Sequence, residues 1–168
     1  MASLYLLRHA KAAPASPGMR DFDRPLDAQG VRDARLIGRA LSEKGINPQT
    51  ILCSSALRTR QTLEEIAPFI PFAGGTHFSS LLYSADAQGY LQEIKSNAHS
   101  GSLMVIGHNP STEELASFLV STKDRQSAGL ILRGFPTGAL AHLEFDGSLA
   151  HLKPHSCALA AFLRPKDL

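Results

Sequence analysis

The 168-residue sequence has no tryptophan, only two cysteines and a formal net charge of just +2. So small a charge, with no Lys/Arg block, gives no footing for nucleic acid as a partner. No apolar run approaches the ~18 residues of a membrane span. The N-terminus lacks a basic segment followed by a long apolar core, so a cytoplasmic protein without membrane attachment is expected. Cys53 and Cys157 lie in apolar surroundings and read as buried, reduced thiols rather than a disulfide. A G-x-x-x-x-G-K-[ST] loop is absent, as is G-x-G-x-x-G after a strand, so neither nucleotide-binding loop is available. Cys53-Ser-Ser-Ala-Leu-Arg58 leaves four residues between thiol and guanidinium, one short of a thiol phosphatase loop.

What is present fits one domain over residues 1–168, burying roughly two-thirds of its unfolded surface. Leu4-Tyr5-Leu6-Leu7 is a continuous apolar run, and residues 3–8 read as a strand covered on both faces. Residues 12–18, with two prolines and a glycine, read as a loop. Asp27 is placed to cap a helix, with Leu26 and Val31 as a hydrophobic staple. Val31, Ala34, Ile37 and Leu41 keep helical spacing up to Lys44-Gly45. Residues 50–53 form a second strand, and the helix after it carries Leu63, Ile66 and Ile70 until Pro68 or Pro71 breaks it. Residues 72–85 are poorly patterned, with an extended piece from Phe78 to Leu82. Tyr90, Leu91 and Ile94 mark a short helix, and residues 103–106 a third buried strand. Ser111 with Glu114 resembles a capping box opening a helix that buries Leu115 and Leu119.

The tail differs. Residues 138–146 and 149–153 alternate around Gly147 as an antiparallel hairpin. The expected fold is therefore α/β: three layers, a mostly parallel central sheet and an antiparallel C-terminal hairpin. His151-x3-His155 has metal-ligand spacing, but no Cys cluster or third ligand accompanies it. An exposed strand pair is the expectation there, with no metal and no cofactor.

Three strands each deliver a cation or imidazole just past the carboxyl end: Arg8-His9, Arg58 and His108. In an open α/β sheet that is where ligands bind, so parallel neighbouring strands would bring all four into one crevice. Phosphoryl transfer explains the gathering. The migrating group spreads negative charge over three oxygens, and arginine can bond them in bidentate fashion. His9 is the candidate nucleophile, with Arg8, Arg58 and His108 binding phosphate and sharing developing charge. Helix N-termini at Ser55 and Ser111 would add backbone donors.

Leu7-Arg8-His9-Ala10 resembles the Arg-His-Gly signature of the histidine phosphatase (phosphoglycerate mutase-like) superfamily. Ser54 to Thr62 is similar to its second motif, with an arginine at Arg58, and Ile106-Gly107-His108-Asn109 to the segment bearing its second histidine. The three motifs come in the family's order across residues 4–120. The resemblance implies a transient phosphohistidine on His9, held by Arg8, Arg58 and His108 and hydrolysed by water without metal. The short length and the Arg24-Pro25-Leu26 loop look most like SixA-type phosphohistidine phosphatases. Ala10 replaces the usual glycine, which is tolerable where positive φ is not required.

Asp86 is the candidate general acid by location, and Glu113 a weaker one; each also reads as a solvated helix-start carboxylate. A weak acid matters less for a phosphoramidate than for an alkyl phosphate, whose leaving oxygen needs a proton. The substrate class expected is a phosphorylated protein, such as a histidine phosphotransfer protein, or a small phosphorylated metabolite, with Arg20, Arg24 and Lys11 lining the rim to meet an acidic partner surface or simply solvated. A small-molecule phosphomonoesterase and a non-catalytic phosphate-binding module remain alternatives. A mutase comes last, because it needs a site closed to water.

Overall fold

The computed structural model describes residues 1–72, 74–123 and 125–168. β1 spans Ala2–Arg8 and alternates between two cores. Leu4 and Leu6 enter one buried cluster, while Tyr5 and Leu7 enter the other. This is the side-chain period of two on a strand covered from both sides. The loop that follows holds a short 3-10 turn at Asp21–Asp23 and leads into helix α1, Ala28–Glu43.

α1 begins where the sequence said it would. Asp27 Oδ1 accepts the Gly30 amide at 2.7 Å, and Leu26 and Val31 join the cluster beneath. Its stripe of Ala34, Ile37 and Leu41 is fully buried, each large side chain contributing on the order of 1.5–3 kcal/mol. Gly30 is required by packing, since a Cβ there would lie 2.1 Å from the Lys11 carbonyl oxygen. The helix stops at Lys44 and Gly45, the latter at φ +65°.

β2 is Thr50–Ser54 and α2 Leu57–Ile66, which passes into a 3-10 turn containing Pro68. The segment after it corrects the expected extension from Phe78 to Leu82. The strand is β3, Thr76–Ser79, paired with β2, and Leu81–Ser84 is a single helical turn, α3. Ser80 opens that turn, and Leu82 is drawn into the core. α4, Ala87–Ser96, buries Tyr90, Leu91 and Ile94; β4 is Ser102–Gly107.

α5, Ser111–Leu119, buries Leu115 and Leu119, but the capping box does not form. Pro110 occupies the cap, and the Ser111 hydroxyl donates to the Ala85 carbonyl at 2.6 Å, tying α5 to the start of α4. α6 covers Arg125–Leu132, followed by β5, Leu140–Phe145, and β6, Ala158–Leu163.

The sheet order is β3-β2-β4-β1-β5-β6. The first four strands are parallel, and β5 and β6 are antiparallel. α1 and α2 supply the core on one face; α4, α5 and α6 supply it on the other. The expected three-layer α/β fold is observed. Its hairpin is formed by different residues, because β5 pairs with 158–163 while Leu149–His151 is a 3-10 turn. Leu149 and Leu152 are both buried beneath that turn, so the alternation read as a strand is a turn anchored at two points. No helix among the described residues is long and apolar enough to cross a membrane.

Candidate active site

β4 lies between β1 and β2, all parallel, so their carboxyl ends open onto one crevice. The backbone there is pinned from two sides. The His9 amide donates to the Gly107 carbonyl at 3.0 Å, and the Gly138 amide donates to the carbonyls of Arg8 and His9. Gly138 sits at φ +75°, a conformation that favours glycine. Ala10 needs no such freedom: among the described residues His155 alone is a non-glycine with positive φ. The Ala10 amide donates to Thr62 Oγ1 at 3.0 Å, and that hydroxyl donates to the Arg58 carbonyl, coupling the end of β1 to α2.

His9, Arg58 and His108 are brought together and buried. His9 Nδ1 donates to the Ala10 carbonyl at 2.7 Å, which puts the ring proton on Nδ1 and leaves the lone pair on Nε2. Arg58 Nε donates toward that Nε2 at 3.3 Å. Burial first, then the charges of Arg58, Arg8 and Arg24, pushes His9 down to about 4 against the opposing pull of the Ala10 bond. The ring is neutral at neutral pH.

His108 stands 5.3 Å from His9 between ring centroids. Its Nε2 is 2.8 Å from Ser54 Oγ, which also accepts the Ala56 amide. A hydroxyl already accepting from an amide is free to donate to Nε2, leaving the His108 proton on Nδ1. That Nδ1 and Arg8 Nε are buried with no partner among the described residues. Burial, followed by His9 and Arg58, lowers His108 to about 3. Its amide is fixed by Tyr90 Oη at 3.0 Å, and Tyr90 donates to the Leu82 carbonyl. A Cβ on Gly107 would approach the Tyr90 ring to 2.6 Å, so the glycine lets the phenol reach this position. Arg8 Nη1 donates to the Phe135 carbonyl at 2.9 Å.

Three residues around this centre were not foreseen. Asp21 accepts Arg58 twice, through its carbonyl at 2.8 Å and its carboxylate at 3.1 Å. Tyr83 donates to the same carboxylate at 2.8 Å, and its ring meets His108 edge-on at 5.6 Å. The Tyr83 bond, then the Arg24 bond, hold the Asp21 carboxyl down to about 2. Ser54 orients His108. Asp21 and Tyr83 reach Arg58 and each other across 37 and 62 residues, and no local pattern in the chain could signal that. The sequence offered one pointer, the Asp21-Phe22-Asp23 acids set beside the cationic loop.

Other expected residues take different roles. Asp86 is exposed and caps α4 by accepting the Gly89 amide at 2.9 Å. Glu113 accepts from Asn109 Nδ2 at 2.9 Å and so is engaged by a neighbour of the site rather than by Arg58. α2 starts at Leu57 with Ala56 as its cap, so Ser55 is not a helix terminus; its amide donates to the Ser79 carbonyl. Arg20 pairs with Asp23, Arg24 with Asp21, and Lys11 with Asp27. His151 is exposed on its turn, whereas His155 Nδ1 lies 3.1 Å from the Val120 carbonyl. Among the described residues no group of three His, Cys, Asp or Glu side chains could hold a metal. Cys53 and Cys157 are free and buried, and burial raises their thiols to about 12 and about 11.

Residues 4–72 match the histidine phosphatase superfamily, branch 1. A solved structure from Nakamurella multipartitia, provisionally assigned as the phosphohistidine phosphatase SixA, superposes with a TM-score of 0.86 at 30% identity, covering 98% of this chain and 96% of that one. Another with the same provisional assignment, from Agrobacterium tumefaciens, gives 0.78 at 34% identity, covering 98% of each chain. An uncharacterized protein of Mycobacterium tuberculosis is 35% identical over 163 residues, 95% of this chain and 100% of its own length. With a neutral imidazole between two arginines at the carboxyl ends of its parallel strands, the chain belongs to the histidine phosphatase superfamily and is a phosphatase.

Proposed function

We propose that residues 1–168 act as a single catalytic domain that hydrolyses phosphohistidine in a protein partner through a phosphoenzyme on His9, in the cytoplasm. The observation that carries this reading is the state of His9: a neutral ring whose Nδ1 proton is committed to the Ala10 carbonyl, with its Nε2 lone pair facing Arg58. Nε2 attacks phosphorus and the substrate P–N bond breaks, the departing imidazole taking a proton from solvent, which the water of the second step returns. Water then attacks the phosphorus on His9, releasing phosphate and restoring the neutral ring. Arg8, Arg58 and His108 offer fixed positive charge and donors to the three equatorial oxygens, with Arg8 Nε and His108 Nδ1 as the unengaged donors. That charge makes the proposed chemistry metal-independent.

The leaving group follows from the acids. Asp21 faces Arg58 but is ionised far below neutrality, and Asp86 and Glu113 are engaged in other bonds. A site arranged in this way suits an imidazole leaving group better than an alkoxide, which must be protonated as it departs. The SixA assignment of the two solved relatives agrees with that preference.

The test is a rapid alkaline quench of the protein mixed with a radiolabelled phosphohistidine protein, run beside His9→Ala. Base-stable, acid-labile label on the wild type, absent from His9→Ala, together with phosphate release, is the expected result. Equal phosphate release by His9→Ala overturns the mechanism. Release from alkyl phosphates at the same efficiency overturns the substrate class and favours a small-molecule phosphatase.

A further inference from the structure

Arg8 also lines a cavity of about 300 Å³. Its lining includes six charged or amide side chains: Arg8, Asn109, Glu113, Arg133, Arg164 and Lys166. Four of the six are cations and one is an acid. Glu113 already accepts from Asn109, and Arg164 is held by Asp167. Arg133 and Lys166 are exposed and have no ion pair among the described residues. Asn109 Oδ1 is buried without a partner among the described residues. Immediately before Arg133, at the end of α6, Leu132 is 74% exposed. An uncovered leucine beside unpaired cations suits a macromolecular surface better than a small hydrated anion.

We propose that this cavity, with the unpaired Arg133 and Lys166 in its lining, forms a docking surface for an acidic protein partner, whose Asp or Glu carboxylates seat beside Arg8 while its phosphorylated side chain reaches His9. The inference rests on the phosphatase reading of the His9 site and adds the chemistry of the partner. Arg8 is the shared wall: its charge acts on both histidines, and its side chain lines the cavity. An acidic flank would therefore fix the register of the phosphorylated residue, leaving the contacts to phosphorus unchanged.

Two peptides carrying a non-hydrolysable phosphohistidine analogue, one flanked by Asp and Glu and one by Ser and Gln, are titrated by fluorescence anisotropy. Each is titrated against the wild type and against Arg133→Ser/Lys166→Ser. The wild type is expected to prefer the acidic peptide about tenfold, a preference that shrinks with added salt and falls toward one in the double variant. Hydrolysis of the matching phosphohistidine peptides is followed in parallel, with the change expected in KM rather than kcat. No preference in the wild type, or one that survives in the double variant, overturns the docking surface while leaving the His9 chemistry standing. Acidic preference without hydrolysis of either peptide would instead sink the phosphohistidine reading. Variant-dependent binding of a small bisphosphorylated compound but of neither peptide assigns the cavity to a metabolite and also overturns the proposal.

Discussion

The wall that holds Arg58 and the wall of the Arg8 cavity carry the same kind of side chain and pair it to different extents. On the wall built by residues 20–27 and Arg58, each arginine has a carboxylate: Arg20 with Asp23, Arg24 and Arg58 with Asp21. On the wall built by 133–136 and 164–166, Arg164 is paired with Asp167, but Arg133 and Lys166 stand without a carboxylate among the described residues. Counting cations would rate the walls as equal. Pairing separates them. The first wall uses its charge internally to hold Arg58 against His9, whereas the second leaves charge available to something outside the chain. An acid close to a phosphate site looks like an error of electrostatics until its partners are counted. Asp21 orients a guanidinium, and a fixed guanidinium is worth more in a transition state than a mobile one.

The comparison breaks most visibly at Arg58. Arg58→Ala should lower kcat/KM by about 10²–10³-fold, the usual cost of losing one preorganised donor, as measured on any hydrolysed phosphoramidate. A loss below threefold would mean that the first wall does not serve catalysis. Asp21→Asn removes the carboxylate yet keeps the carbonyl bond to Arg58. A fall of about tenfold in kcat/KM is expected, since misplacing a catalytic group by a fraction of an ångström is costly. An unchanged rate would reduce Asp21 to a surface ion pair.

Acid stability gives a third, smaller effect. His9 and His108 fall from an ordinary value near 6.5 to about 4 and about 3 in the folded protein. Below pH 6.5 the unfolded chain takes up protons that the folded protein refuses. Stability is therefore full above that pH and declines as pH falls toward 4 and then 3. Denaturant midpoints measured from pH 7 to pH 4 should drop more steeply for the wild type than for His9→Gln/His108→Gln. Parallel slopes would show that the histidines are not buried as neutral rings. The smallest effect is expected at Arg20, an exposed cation paired with Asp23. Arg20→Ala should change kcat/KM by less than about twofold, because such pairs contribute little. A tenfold loss on a protein substrate would move the docking surface to the first wall.

Much of the site was legible because its chemistry lies next to punctuation in the chain. Arg8-His9 ends an unbroken apolar run, and His108 ends another. Asp27 announces α1 by a cap that needs only residues three apart. These are local patterns, set by strand burial and by unpaired amides at a helix start, and the sequence states them directly. Ser111 shows where such patterns fail: its spacing to Glu114 is right, but the Ala85 carbonyl, 26 residues away, captures its hydroxyl. Residues 149–153 fail in the same way, since alternation describes equally well a strand and a turn pinned by two leucines.

By itself, then, the sequence determined the identity and order of Arg8, His9, Arg58 and His108, the strands that end at them, and the first helix. Tertiary structure alone decided that β6 rather than 149–153 completes the hairpin, and that Ser54, Asp21 and Tyr83 surround the histidines. It also decided which cations are neutralised. The physical reason is distance along the chain: hydrogen bonds and ion pairs between residues dozens of positions apart depend on how the layers close. No periodicity within a window of ten or twenty residues carries that information.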